Sequence, residues 1–99
     1  MPVYPGSLAV GLPHLPTNAS QAERTQARIA LALKAASDDY ALIETFETNG
    51  NAVKDEAAFQ SLAELATRLD AEALVHAGGV DLHRIRAIAE HVRMVLVPV

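Results

Sequence analysis

Apolar residues recur at helical spacing through residues 20–48, but on two sides of the cylinder rather than one. At about 100° per residue, Ala22, Ile29, Leu33, Ala36, Tyr40 and Ile43 share one side, whereas Leu31, Ala35, Leu42 and Phe46 lie well round from them. Ser20 followed three residues later by Glu23 has the form of a capping box. Asn49 and Gly50 supply a left-handed stop. The pattern therefore predicts one long helix over 20–48. A second helix is predicted over 55–76, with Ala58, Phe59, Leu62, Leu65, Ala66, Leu69 and Ala73 on one face and Gly78 and Gly79 ending it. Asp81 is a good N-cap for a third helix with Leu82, Ile85, Ile88, Ala89, Val92 and Val95 inward, closed by Pro98. Residues 95–99 are β-branched enough to extend and to pair with residues 7–12, although a frayed helix end is the preferred reading.

Short connections between such elements favour antiparallel neighbours, so the expected fold class is all-α: a three-helix bundle-like domain over 20–99, preceded by an extended arm over 1–19. The arm is interrupted by Pro5, Gly6, Gly11, Pro13 and Pro16, yet it carries Val3, Tyr4, Leu8, Val10, Leu12 and Leu15. Disordered tails are polar and charged, so this arm is expected to dock. A surface helix of a monomer normally shows a single apolar stripe. The second stripe requires a cover: the arm, a different protein, or a second copy of the chain. The interface is accordingly assigned to Leu31, Ala35, Leu42 and Phe46, with Tyr4 and Leu8 from the arm.

Composition narrows the function classes. With 99 residues and one core the chain buries about 60–70% of its unfolded surface. A net charge of −4 argues against a dedicated nucleic-acid binder, since phosphate neutralisation drives such binding. The absence of cysteine excludes disulfides, thiol nucleophiles and zinc–thiolate sites. No stretch reaches the roughly 18 consecutive apolar residues of a membrane helix, and residues 1–19 resemble neither a secretory signal nor a transit peptide. A cytoplasmic protein with no cofactor is expected.

Catalytic constellations are sparse. Glu72 and His76 have the i, i+4 spacing that brings two ligands to one ion from a helix face, and they are the weak metal candidates. His76 shares the stripe of Leu69 and Ala73, which favours a structural histidine. On the third helix His83 and Glu90 are seven residues, about 10 Å, apart. The neighbouring Glu90 and His91 lack the Glu-x-x-His spacing of di-metal bundles. Asp38 and Asp39 read as a solvated edge rather than a general acid and base. The run from Leu74 to Ile88 looks like a helix-hairpin-helix, but Asp81 stands where that motif approaches a phosphate, and a carboxylate there repels it. Arg84, Arg86 and Arg93 are spread around the third helix without aromatic partners for bases.

The leading expectation is a non-enzymatic module that self-associates through its long first helix, in a structural or assembly role. The alternatives are an adaptor for a different protein, a small enzyme or metal-binding protein using Glu72 and His76, and a weak nucleic-acid-binding regulator.

Overall fold

The computed structural model describes residues 7–99 and has an α/β architecture, 49% helical and 24% strand, in place of the expected helical bundle. The elements run β1 (Ser7–Leu12), α1 (Gln21–Ser37), β2 (Tyr40–Thr45), α2 (Ala52–Leu69), β3 (Ala73–His76), α3 (Leu82–Val92) and β4 (Val95–Pro98). The strands form one parallel sheet in the order β2-β1-β3-β4.

Helix α1 starts as its sequence dictates. The Ser20 side chain accepts from the Glu23 amide while the Glu23 carboxylate accepts from the Ser20 amide. It stops eleven residues earlier than the apolar spacing implies. Asp38 caps it, and Asp39 takes a left-handed conformation with φ 66°, one that Asp tolerates better than most residues. The run Tyr-Ala-Leu-Ile-Glu-Thr that follows is aromatic and β-branched, and it pairs with β1 from Ser7↔Tyr40 to Gly11↔Thr45. Half of the second stripe of the supposed long helix, Leu42 and Phe46, therefore belongs to a strand and the segment after it.

The same device shortens the other helices. Asp70 is left-handed at φ 54° and ends α2, so Ala73–His76 is not the last turn of a helix but a strand buried along its whole length. Interior parallel strands are covered on both faces and read as continuous apolar runs, which periodicity cannot distinguish from a buried helical turn. Asp81 caps α3 as expected, accepting from the amides of His83 and Arg84. Arg93 at φ 69° then releases the chain into β4, which pairs with β3 rather than with β1.

Residues expected in an N-terminal arm form the centre of the sheet. β1 lies between β2 and β3, and Ala9, Val10 and Leu12 are wholly buried. Helix α1 covers one face, where Leu31 and Ala35 meet Ala9, Ala73, Val75 and Val97. Helices α2 and α3 cover the other, where Phe59, Leu62, Ala66, Ile85 and Ile88 meet Val10, Leu12 and Leu74. Small residues beneath α1 let it sit close: a Cβ on Gly11 would stand 3.2 Å from Leu31 Cδ1 and 3.1 Å from Leu42 Cδ1. Burying a leucine such as Leu31 or Leu62 this completely contributes about 1.5–3 kcal/mol. Among the described residues no helix is long and apolar enough to cross a membrane.

Candidate functional site

A sheet of this order is doubly wound. The chain leaves β1 for β2 on one side and later crosses to β3 on the other, so the carboxyl ends of β1 and β3 flank a crevice where ligands of such folds generally bind. Here that crevice is a cleft of about 350 Å³ lined by His14, Gly50, Asp55, Glu56, Phe59, Gly79, Asp81 and Arg84, among others. His14 follows β1, Gly50 follows β2, and Gly79 follows β3.

Several groups around the crevice are held by hydrogen bonds to one another or to loop amides. Thr48, 1% exposed, donates its hydroxyl hydrogen to the Pro13 carbonyl at 3.1 Å and sits 2.7 Å from His14 Nδ1. With that hydrogen committed, the contact requires His14 Nδ1 to donate, which fixes the ring. Gly79, at φ 91°, passes beneath the ring so closely that a Cβ would stand 2.8 Å from His14 Cδ2. The Asp55 carboxylate accepts from the amides of Asn49 and Gly50 at 2.8 and 2.9 Å. Arg84 forms a two-pronged pair with Glu56, with Nε 3.0 Å from Oε1 and Nη2 on Oε2, and its guanidinium lies 5.5 Å from the Phe59 ring centre. The hydrogen bond from Arg84 holds the Glu56 carboxyl below its ordinary value of 4.5.

This crevice is unsuited to a phosphate. Helix N-termini attract anions through free amides and the macrodipole, but all three helices use their own side chains there: Ser20 with Glu23 on α1, Asn51 on α2 and Asp81 on α3. Asp55, Glu56 and Asp81 line the same cleft as a single guanidinium, which Glu56 already holds. Three carboxylates against one paired cation repel a dianion.

The metal candidates separate. Glu72 precedes β3, while His76 ends it, 7% exposed, with Nδ1 3.2 Å from the Ala77 carbonyl. Four residues of extended chain span about 13 Å, so the two cannot share an ion; the spacing converges only on a helix, and this segment is not one. Among the described residues no group of three or more His, Asp or Glu is placed to hold a metal. His83, Glu90 and His91 are exposed on α3, and Asp38 is the C-cap of α1.

The expected interface residues are placed mostly inside the chain. Leu31 and Ala35 are buried at 2% and 0% exposure. Leu42 packs beside them, and Phe46 packs against the core beneath α2 and α3. Leu8 is half-buried in β1, and Tyr4 lies outside the described residues. It is the other stripe that faces solvent: Ile29 is 52% and Leu33 67% exposed on α1, with Ile43 at 37% on β2. Ile29, Ala32, Leu42 and Ile43 line an open groove of about 340 Å³ that also holds Arg28 and Glu44. The sequence displayed this stripe but not its direction, which follows only once α1 ends at Ser37 and Ala27, Leu31 and Ala35, at i, i+4 spacing, become its inner row.

Ile43 is exposed for a local reason. β1 pairs Ala9 with Leu42 and Val10 with Glu44, so Ile43 is an extra residue on β2. Such a bulge bends an edge strand and interrupts its ladder. Comparison with protein-family models, with characterised proteins and with solved structures returned no match.

Proposed function

We propose that this chain is a non-enzymatic interaction module with a structural or assembly role, resident in the cytoplasm, and that it binds protein through the outer side of α1 and the adjoining edge of β2. The observation that carries this reading is the exposure of Ile29 and Ile43, which line one groove, and of Leu33, one turn from Ile29 on α1. Other exposed apolar residues are dispersed: Val53 and Leu82 at helix starts, Leu69 at a helix end, Val95 and Val99 beside the far edge of the sheet. Scattered apolar residues are ordinary, whereas a contiguous patch rimmed by polar groups marks an interaction site.

The crevice supports the same reading from the opposite direction. Asp55, Glu56 and Asp81 there hold loop amides, pair with Arg84 and cap α3, which commits these carboxylates to the fold.

In-cell photo-crosslinking tests the proposal. A photoreactive amino acid at position 33, on the patch, is compared with one at Glu64, exposed on α2 away from it. The expected result is a discrete protein adduct from position 33 and none from position 64. Equal, diffuse labelling from both positions would remove the basis for assigning this face.

A further inference from the structure

We infer that Asn49 is a site of spontaneous deamidation which the folded chain holds latent, and that Asp55, in the first turn of α2, is what guards it. Of the three asparagines, Asn18 and Asn51 each precede an alanine, whereas Asn49 precedes Gly50. In the reaction the Gly50 amide nitrogen loses its proton to solvent base and bonds to Asn49 Cγ. The Cγ–Nδ2 bond breaks, and Nδ2 leaves as ammonia with a proton taken from water. Water then opens the cyclic imide at either carbonyl to give aspartate or isoaspartate, so the net change is one water consumed and one ammonia released. A glycine after the asparagine favours closure, because no Cβ shields the attacking nitrogen and the backbone turns freely. The space around Gly50 is open as well, since a Cβ there would meet nothing within 4 Å. Sequence and access therefore permit the reaction.

Hydrogen bonding opposes it. The Gly50 N–H that must be lost donates to Asp55 Oδ2 at 2.9 Å. A carboxylate in contact with that nitrogen disfavours a second negative charge there. The Asn49 N–H donates to the other oxygen, Asp55 Oδ1, at 2.8 Å, and Asn49 Oδ1 accepts from the Asn51 amide at 2.8 Å. These bonds fix the main chain and the side chain of Asn49, whereas closure needs Cγ brought onto a nitrogen whose proton has gone. They converge on the start of α2, where Asn51 also caps the helix by accepting from the amides of Val53 and Lys54. Helix ends open more readily than helix interiors, and opening this turn withdraws Asp55 and frees Gly50 in one event. The product fits the closed loop less well. Aspartate at position 49 sets a second carboxylate beside that of Asp55, and isoaspartate lengthens the main chain next to Thr48, which is tied to Pro13 and Leu15. Modification thus records the opening of the first turn of α2 and loosens the loop that follows β2.

Mass spectrometry of the whole chain kept at mildly alkaline pH tests this. Peptide mapping places the amide-to-acid mass gain, and circular dichroism confirms that each variant is folded. Folded wild type should convert at Asn49 at least about tenfold more slowly than the same chain in denaturing guanidinium. Asp55→Ala should convert about ten- to a hundredfold faster than folded wild type, the change that loss of hydrogen bonds to a charged group gives. Asp55→Asn, which keeps one acceptor oxygen, should fall between the two, and it carries the test if the alanine variant is unfolded. Gly50→Ala should convert more slowly than wild type even in guanidinium, because the imide route needs the unshielded nitrogen. Equal rates for folded and unfolded wild type, folded Asp55 variants no faster than wild type, an unslowed Gly50→Ala, or conversion that maps to Asn18 or Asn51 would each overturn the inference.

Discussion

Gly79→Ala and Gly50→Ala are a matched pair of substitutions, because both glycines sit at φ 91° while their surroundings differ. A Cβ on Gly50 meets nothing within 4 Å, whereas one on Gly79 would stand 2.8 Å from His14 Cδ2 and 3.3 Å from Nε2. Backbone strain at positive φ costs an L-residue about 1–2 kcal/mol, and the stiffer unfolded chain returns about 0.4–1 kcal/mol of that. Gly50→Ala should therefore lose only about 0.5–1 kcal/mol. Gly79→Ala carries the same strain and in addition displaces the imidazole, breaking its 2.7 Å hydrogen bond to Thr48, a loss of about 1 kcal/mol. Disturbed packing around the ring brings the total for Gly79→Ala to about 2–3 kcal/mol. Urea unfolding measures both: with m near 1 kcal/mol/M, the two midpoints should differ by about 1–2 M at unchanged m. In a His14→Ala background the extra cost should vanish, leaving Gly79→Ala equal to Gly50→Ala. Equal losses in the wild-type background, or an excess that survives removal of the ring, would refute the packing of His14 over Gly79.

Two other predictions concern the core and its charges. Leu31→Ala should lower the stability of the dilute monomer by about 2–4 kcal/mol, since Leu31 is 2% exposed against the sheet of its own chain. An unfolding midpoint unchanged at low concentration would instead return Leu31 to a surface between chains. Because Arg84 depresses the Glu56 carboxyl, that group stabilises the fold above its ordinary value of 4.5 and ceases to as pH falls through the lower folded value. Midpoints measured against pH should therefore decline less steeply on the acid side in Glu56→Gln than in wild type; identical slopes would mean that the Glu56–Arg84 pair does not couple to folding.

The elements legible in the sequence were those with local signals of their own. The capping box at Ser20 and Glu23, the N-cap at Asp81 and the apolar face of Phe59, Leu62 and Ala66 are written within a few residues of where they act. The helix stops were not legible, because Asp39, Asp70 and Arg93 adopt the left-handed conformation without being glycine or asparagine. The glycines that read as stops, Gly50 and Gly79, shape loops at the carboxyl ends of strands. Without those stops, β2 and β3 continue the helical periodicity of α1 and α2, and an all-α chain is the natural reading.

By itself, then, the sequence determined the alternation of capped helix starts with apolar runs, the lack of thiol chemistry, and the presence of two stripes on α1, one of them surplus to a single core. Which stripe is surplus was decided by tertiary structure. Parallel pairing of β1 with β2 and β3 joins residues more than thirty positions apart, and the small residues Ala9, Gly11 and Ala73 make a surface that Leu31 and Ala35 fit. Burial there leaves Ile29 and Leu33 outside. Helical periodicity records an angle around an axis, and only the sheet supplies the direction of the core.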